Sequence, residues 1–224
     1  MNDPFDGISE KQKNNLFKIL ETHIYSFSKG EEILSVLKNK NIVCILLNGY
    51  ANIVNINYNG EEYLVESLTK NSVFGSYISN ISNIEYQIKA IEDSKVLVID
   101  YNKLINNKNI NYNYYNIFII NLFNIISIKL KENNDRIKIL TQKTIRDKLL
   151  VFFENEYKKS HSKNIYLPSN FKVLADYISV NRSAMFRELK YLKDDKFITI
   201  EGKKITLLYT PSIWIVKQKM SLKF

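Results

Sequence analysis

The spacing of apolar positions changes along the chain, and each change marks a part. Over 8–22 (ISEKQKNNLFKILET), Ile8, Leu16, Ile19 and Leu20 fall at helical spacing and predict a short amphipathic helix. From 24 to 100 the pattern becomes short β-rich runs: IVCILL (42–47), ANIVNINY (51–58), EYLVESL (62–68), YQIKAI (86–91) and KVLVID (95–100). Between them stand the turn signals KGEE (29–32), NGY (48–50), YNGEE (58–62) and FGS (74–76). Runs at this spacing, with Gly or Asn between them, predict a small antiparallel barrel or roll.

From about 111 the turn signals stop for some 30 residues. Ile119, Phe123, Ile126, Leu130, Asn133, Ile137 and Leu140 follow one another at spacings of 4, 3, 4, 3, 4 and 3. That is a heptad seam, and a lone Asn among its apolar members is a register-fixing device of paired helices. A second stripe, Phe118, Leu122 and Ile125, lies beside the seam and is expected to pack on the roll. The segment 112–140 therefore reads as a dimerisation helix, with a single helix buried inside a monomer as the alternative. TQK (141–143) breaks the pattern as a hinge.

Beyond the hinge, TIRDKLLVFFENEY (144–157) is a further amphipathic helix and KKSHSKN (158–164) a polar loop. In IYLPSNFKVLADYISVNRSAMFRELKYLKDDKFITIEGKKITLL (165–208), Ser169 is placed to cap a helix whose Val173, Leu174 and Tyr177 face a core. Small Ala175 lets a second helix cross closely. A tight turn at Ile178–Ser179–Val180 leads to Asn181, the cap of that second helix, RSAMFRELKYLKD. Met185, Leu189 and Leu192 form its inner stripe; Arg182, Ser183, Phe186, Arg187 and Lys190 form its outer face. Two β-runs around Glu201–Gly202–Lys203–Lys204 complete a helix-turn-helix with a β-hairpin, a winged helix.

Charge sharpens this division. Residues 1–110 hold 11 Lys against 13 acidic residues, a net of −2; residues 111–224 hold 21 Lys and Arg against 10 acidic residues, a net of +11. Such asymmetry points to two parts with different partners, the basic one facing a polyanion, with a generic basic solvated surface as the alternative. Asn, Ile and Lys dominate the composition as in an AT-rich coding sequence, so the placement of Lys carries little information. Arg carries more: the four are Arg136, Arg146, Arg182 and Arg187. Two of them stand on the outer face of one helix, and guanidinium forks onto guanine O6 and N7 in a way Lys does not. Lys203 and Lys204 at the hairpin tip suit phosphate contacts.

LADYISVNRSAMFRELKYLKDDKFI resembles the DNA-binding domain of the cyclic-AMP receptor protein/FNR (CRP/FNR) family of bacterial transcription regulators. The resemblance extends, more loosely, to KGEE near the start of the roll, to FGS late in it and to the long helix. It implies an α+β fold: a cyclic-nucleotide-binding-like antiparallel β-roll (1–110), a dimerisation helix (111–140) and a winged-helix DNA-binding domain (141–224). It implies a cytoplasmic homodimer on a near-palindromic operator in double-stranded DNA, with RNA polymerase and a small-molecule effector as further partners of the family. It places Arg182, Ser183 and Arg187 at base-reading positions. Ser183 stands where most members carry Glu, Phe186 where a small residue is usual, and Ser179 where Gly is common.

The same resemblance argues against a cyclic nucleotide in this roll. Members that bind one use a Gly-Glu pair and an Arg for the ribose and cyclic phosphate. Here Gly75 precedes Ser76, and residues 1–135 contain no Arg, with Lys89 the nearby cation. A single Cys, Cys44, rules out an iron–sulfur cluster within the chain, sits in an apolar run as an inert thiol and suits a reducing compartment. No cofactor or metal is expected. No membrane span, secretion signal, P-loop, G-x-S-x-G, G-x-G-x-x-G or HExxH motif is present, so the chain does not read as an enzyme. Two other readings remain: a ligand-independent regulator of the same fold, and a protein-interaction module that does not bind DNA.

Overall fold

A computed structural model describes residues 3–33, 41–76, 78, 86–106, 111–167 and 171–210. The chain forms two compact units, Met1–Lys129 and Leu130–Phe224. Their elements mix antiparallel sheets with helices, as expected.

The first unit opens with α1 (Glu10–Ile19), started by a reciprocal cap. The Gln12 N–H donates to Ser9 Oγ (3.4 Å) while the Ser9 N–H donates to Gln12 Oε1 (2.9 Å). The strands are β1 (His23–Phe27), β2 (Ile42–Asn48), β3 (Ala51–Ile56), β4 (Glu62–Leu68), β5 (Val73–Gly75), β6 (Tyr86–Ala90) and β7 (Ser94–Asp100). They make two antiparallel sheets, ordered β1-β7-β2-β5 and β4-β3-β6. The unbroken apolar run of β2 is explained by burial on both of its faces. Ile42, Cys44 and Leu46 point into the roll with Phe27, Ile53, Phe74, Ile88 and Val96. Val43 and Ile45 point outward, where Leu97 and Ile99 of β7 join them in a second core with Leu16 and Leu20.

That outer core is completed by α3 (Asn113–Leu140), which runs on past the division at Lys129. Its stripe Phe118, Leu122 and Ile125 packs there, as its spacing predicted. Between β7 and α3 lies a one-turn helix, α2 (Tyr101–Ile105), capped by Asp100, whose carboxylate accepts from the Asn102 and Lys103 N–H groups.

Three features of this unit differ from the sequence reading. β1 and α2 were not among the predicted elements: an edge strand with one buried residue and a five-residue helix carry too little periodicity. FGS is a turn only at its end: Phe74 and Gly75 are strand residues of β5, and the turn begins at Ser76, with the Ile78 N–H donating to Gly75 O at 3.1 Å. Gly75 is required there by close approach: at φ +133° a Cβ would meet the Ile42 carbonyl oxygen at 2.3 Å.

Burial pushes the Cys44 thiol well up from its ordinary value of 9.0. We expect a thiol-specific reagent to find no reactive thiol in the native protein at neutral pH and one per chain after denaturation. The stability tied to this group is whole below the unfolded value of 9.0 and declines as pH rises above it, because only the unfolded chain ionises there.

In the second unit α3 ends at Leu140 and α4 (Ile145–Ser160) begins after a break, capped by Thr144, whose Oγ1 accepts from the Asp147 N–H at 3.0 Å. Then come β8 (Asn164–Tyr166), α5 (Phe171–Tyr177), α6 (Arg182–Asp194), β9 (Ile198–Glu201) and β10 (Lys204–Leu207). The three strands form one antiparallel sheet, β8-β10-β9. Leu149 and Phe153 of α4, Leu174 and Ala175 of α5, and Met185, Leu189 and Leu192 of α6 share a core with Ile198, Ile205 and Leu207. Val173 was expected in that core and is instead 49% exposed. Pro168 and the proposed cap Ser169 lie outside the described residues.

Candidate nucleic-acid interface

The turn between α5 and α6 decides where the outer face of α6 points. α5 stops in a Schellman arrangement: Ser179 N–H donates to Asp176 O (3.1 Å) and Val180 N–H to Ala175 O (3.0 Å). Ser179 takes the left-handed position, φ +51°, that glycine usually fills. The Lys148 ammonium of α4 donates to the Ile178 and Ser179 carbonyls at 3.2 and 3.4 Å and holds the turn from behind. An L side chain in this conformation costs roughly 1–2 kcal/mol. Ser179→Gly is therefore expected to raise stability by about 1 kcal/mol, read as a higher denaturation midpoint with an unchanged slope.

α6 begins at Asn181, whose Oδ1 accepts from the Ser183 N–H (2.9 Å) and the Ala184 N–H (3.3 Å). The cap thus occupies two first-turn donors that an uncapped helix end would offer to phosphate. What the outer side of this helix has to offer is therefore mainly its side chains. Met185, Leu189 and Leu192 are buried, and Arg182, Ser183, Phe186, Arg187 and Lys190 are all exposed on the other face.

The Arg182 guanidinium lies over the Phe186 ring at 5.6 Å, and Phe186 in turn packs on Phe171 of α5 with ring centroids 5.2 Å apart. Phe186 remains 40% exposed, so it supports Arg182 while keeping a free apolar edge.

The hairpin leaves directly from the end of α6. β9 and β10 are joined by Gly202 and Lys203, and Gly202 takes φ +58° at the first turn position, where a two-residue hairpin of type II′ needs glycine. Lys203 is exposed at the tip and its carbonyl accepts from the Leu167 N–H, tying the tip to β8. Lys204 is half-buried, in register with Glu201 and Tyr166.

The other two arginines have different surroundings, which sequence spacing did not reveal. Arg146 of α4 pairs with Glu188 (3.3 Å) and Asp195 (2.7 Å) and lies over the Phe197 ring at 5.2 Å. It fastens α4 to the far part of α6, across separations of more than forty residues that no local pattern signals. Arg136 lies over Tyr177.

The seam residues of α3 are largely uncovered: Phe123 is 70% exposed, Leu130 60% and Ile137 55%, with Ile126, Asn133 and Leu140 also exposed. Ile119 alone is half-buried, against the outer core of the first unit. In the roll, Lys89 forms an ion pair with Glu62. Lys129 pairs with Glu66 at 2.8 Å.

A cyclic nucleotide-binding domain model matches residues 24–107. A protein of Porphyra purpurea named as an HTH-type transcriptional regulator, ycf28, is 27% identical over 192 residues, covering 84% of this chain and 78% of that protein. Among solved structures, CprK complexed with OCPA is 16% identical, with a TM-score of 0.63 over 91% of this chain and 94% of that one. A mutant of CooA from Carboxydothermus hydrogenoformans is 16% identical, with a TM-score of 0.59 over 89% of each chain. A cyclic nucleotide-binding domain containing protein from Listeria monocytogenes EGD-e is 18% identical, with a TM-score of 0.54 over 88% of this chain and 97% of that one. At these identities the structural likenesses establish a common fold.

Proposed function

We propose that the chain is a regulator of the CRP/FNR type, a sequence-specific DNA-binding protein that acts as a homodimer on a near-palindromic operator; the match of residues 24–107 to a cyclic nucleotide-binding domain and the likeness to an HTH-type transcriptional regulator support this reading. The outer face of α6 carries this reading: five exposed side chains, two of them Arg, stand opposite a fully buried stripe on a capped helix. A helix so placed can enter a major groove and offer guanidinium forks to guanine edges. Lys203 and Lys204 supply phosphate contacts, and Ser169, with its segment, is assigned the same role. Ser183 cannot accept from cytosine as a carboxylate does, so the operator differs from one read by Glu at that position.

In this reading 1–110 is the sensor roll, 111–140 the pairing helix and 141–224 the DNA-binding domain. The seam from Ile119 to Leu140 packs on its counterpart in a second copy, and the two α6 helices meet half-sites about one helical turn apart. The roll takes no cyclic nucleotide, because residues 1–135 lack Arg and Lys89 is already committed to Glu62. Among the described residues no helix is long and apolar enough to cross a membrane. A DNA-binding regulator of this kind is assigned to the cytoplasm, and no catalytic role is assigned to it.

Selection of bound duplexes from a random pool tests the proposal. Enrichment of an inverted repeat, with affinity that falls steeply as salt rises, is the expected result. A pool that stays random, or a salt-insensitive complex, overturns it.

A further inference from the structure

Arg136 is a half-buried guanidinium without an anion. Its charged end lies over the Tyr177 ring at 5.4 Å. Its Nε is buried and makes no hydrogen bond, and it is the one side-chain nitrogen or oxygen among the described residues in that condition. Arg146, exposed to 26% at its side chain, shows what such a group ordinarily acquires: two carboxylates as well as an aromatic face. No carboxylate pairs with Arg136 among the described residues, and leaving a buried donor unsatisfied is costly.

Arg136 lines a cleft of about 370 Å³. Every residue lining it belongs to the second unit. Phe152 of α4, Leu167 after β8 and Leu174 of α5 give it an apolar wall, with Tyr177 beside them. The volume and the balance of a few polar groups on an apolar lining are those of small-molecule sites. The charges around it are unequal in availability: Lys159 and Glu156 pair with each other at 3.1 Å, which leaves Arg136 as the cation of the lining not matched by a protein carboxylate. Glu132, on the exposed side of α3, disfavours a ligand of high negative charge.

We propose that this cleft binds a small aromatic carboxylate, its single negative charge on Arg136 and its ring among Phe152, Leu167 and Leu174. Guanidinium and carboxylate match in shape, and the two terminal nitrogens of Arg136, rather than its buried Nε, can form two parallel hydrogen bonds with it. The flat body suits a lining in which the Arg136 guanidinium already lies over the Tyr177 ring. Asn133 lines the same cleft and is a member of the helix seam, while Leu174 and Tyr177 belong to α5, the helix before the turn into α6. An occupant therefore touches both the pairing helix and the first helix of the DNA-binding pair. Control of operator affinity by the occupant rests on the DNA-binding reading; the binding site itself does not.

Isothermal calorimetry on the full chain with benzoate, cinnamate and 2-naphthoate, each beside its uncharged carboxamide, tests the site. At least one carboxylate is expected to bind more tightly than about 1 mM, with its carboxamide at least tenfold weaker. Arg136→Met should lose at least tenfold, and Arg187→Ala should bind as the parent does. Val173→Trp, at a position on the cleft that is 49% exposed, should block binding by filling it, with circular dichroism unchanged from the parent. Absence of binding by all three acids, equal binding of the carboxamides, or retention of binding in Val173→Trp overturns the site. Operator affinity is measured separately with and without the bound acid: a change of at least threefold supports control through the cleft, and no change removes the control while leaving the site. A chain that binds the acid and no DNA removes the regulator reading alone.

Discussion

Leu130→Asp is expected to convert the protein into a monomer in sedimentation and to weaken its binding to a two-half-site operator by about 10²–10⁴-fold, the factor lost when a second linked contact disappears. Leu130 is 60% exposed at the middle of the seam, and Phe123 and Ile137, one heptad away on either side, are 70% and 55% exposed. Each such side chain gains roughly 1.5–3 kcal/mol when fully buried. A carboxylate placed opposite its own copy in that seam would lose this term and leave two like charges facing each other out of water. The fold of each unit should survive, because Leu130 belongs to neither core. Unchanged circular dichroism alongside a halved mass is the combination to look for. A variant that stays dimeric would place the interface elsewhere and leave the exposed seam unexplained. In the dimer reading Asn133, an exposed amide within the same row, faces its counterpart and sets the register.

Arg187→Ala should cost about 1–3 kcal/mol of operator affinity and relax selectivity at one base pair in each half-site. Arg187 is exposed on α6 and, among the described residues, makes no ion pair within the chain. Its loss disturbs no protein contact described above, so the effect belongs to DNA. Lys at the same position should restore little of the selectivity, since an ammonium cannot fork onto guanine. Lys203→Ala provides the contrast: weaker binding to every sequence, with the salt slope reduced by about 1. If the chain were a protein-interaction module, Arg187→Ala would leave its complex intact and no duplex would be retarded at any salt. Arg182 should be less simple to interpret, because its removal also frees Phe186 from its cation.

Much of this molecule is written in local periodicity. The seam and the neighbouring stripe of α3 were separable by spacing alone, and Phe118 and Leu122 are buried in the first unit while Phe123 is not. The bounds of α6 follow from Asn181 and a 3.6-residue stripe. The positive φ at Ser179 is foreshadowed by the family pattern that has Gly there. Where the chain has no period, the sequence was silent. β1 has one buried residue, α2 is a single turn, and Val173 satisfies a helical apolar pattern but stands half open beside the cleft, while Leu174 and Ala175 are the buried residues of α5.

Hydrophobic spacing and capping residues, which act within about four positions of one another, are enough to set the β-roll, the long helix and the helix–turn–helix with its hairpin, along with the face of α6 that meets solvent. Which arginine does what is a different matter, because it depends on partners brought together from far along the chain. Arg146 is neutralised by Glu188 and Asp195, Arg136 is left over Tyr177 without a carboxylate, and Gly75 is demanded by a carbonyl on β2. Those assignments are made only when packing closes, since charge pairing and steric contact depend on distance in space and carry no signature in the order of residues.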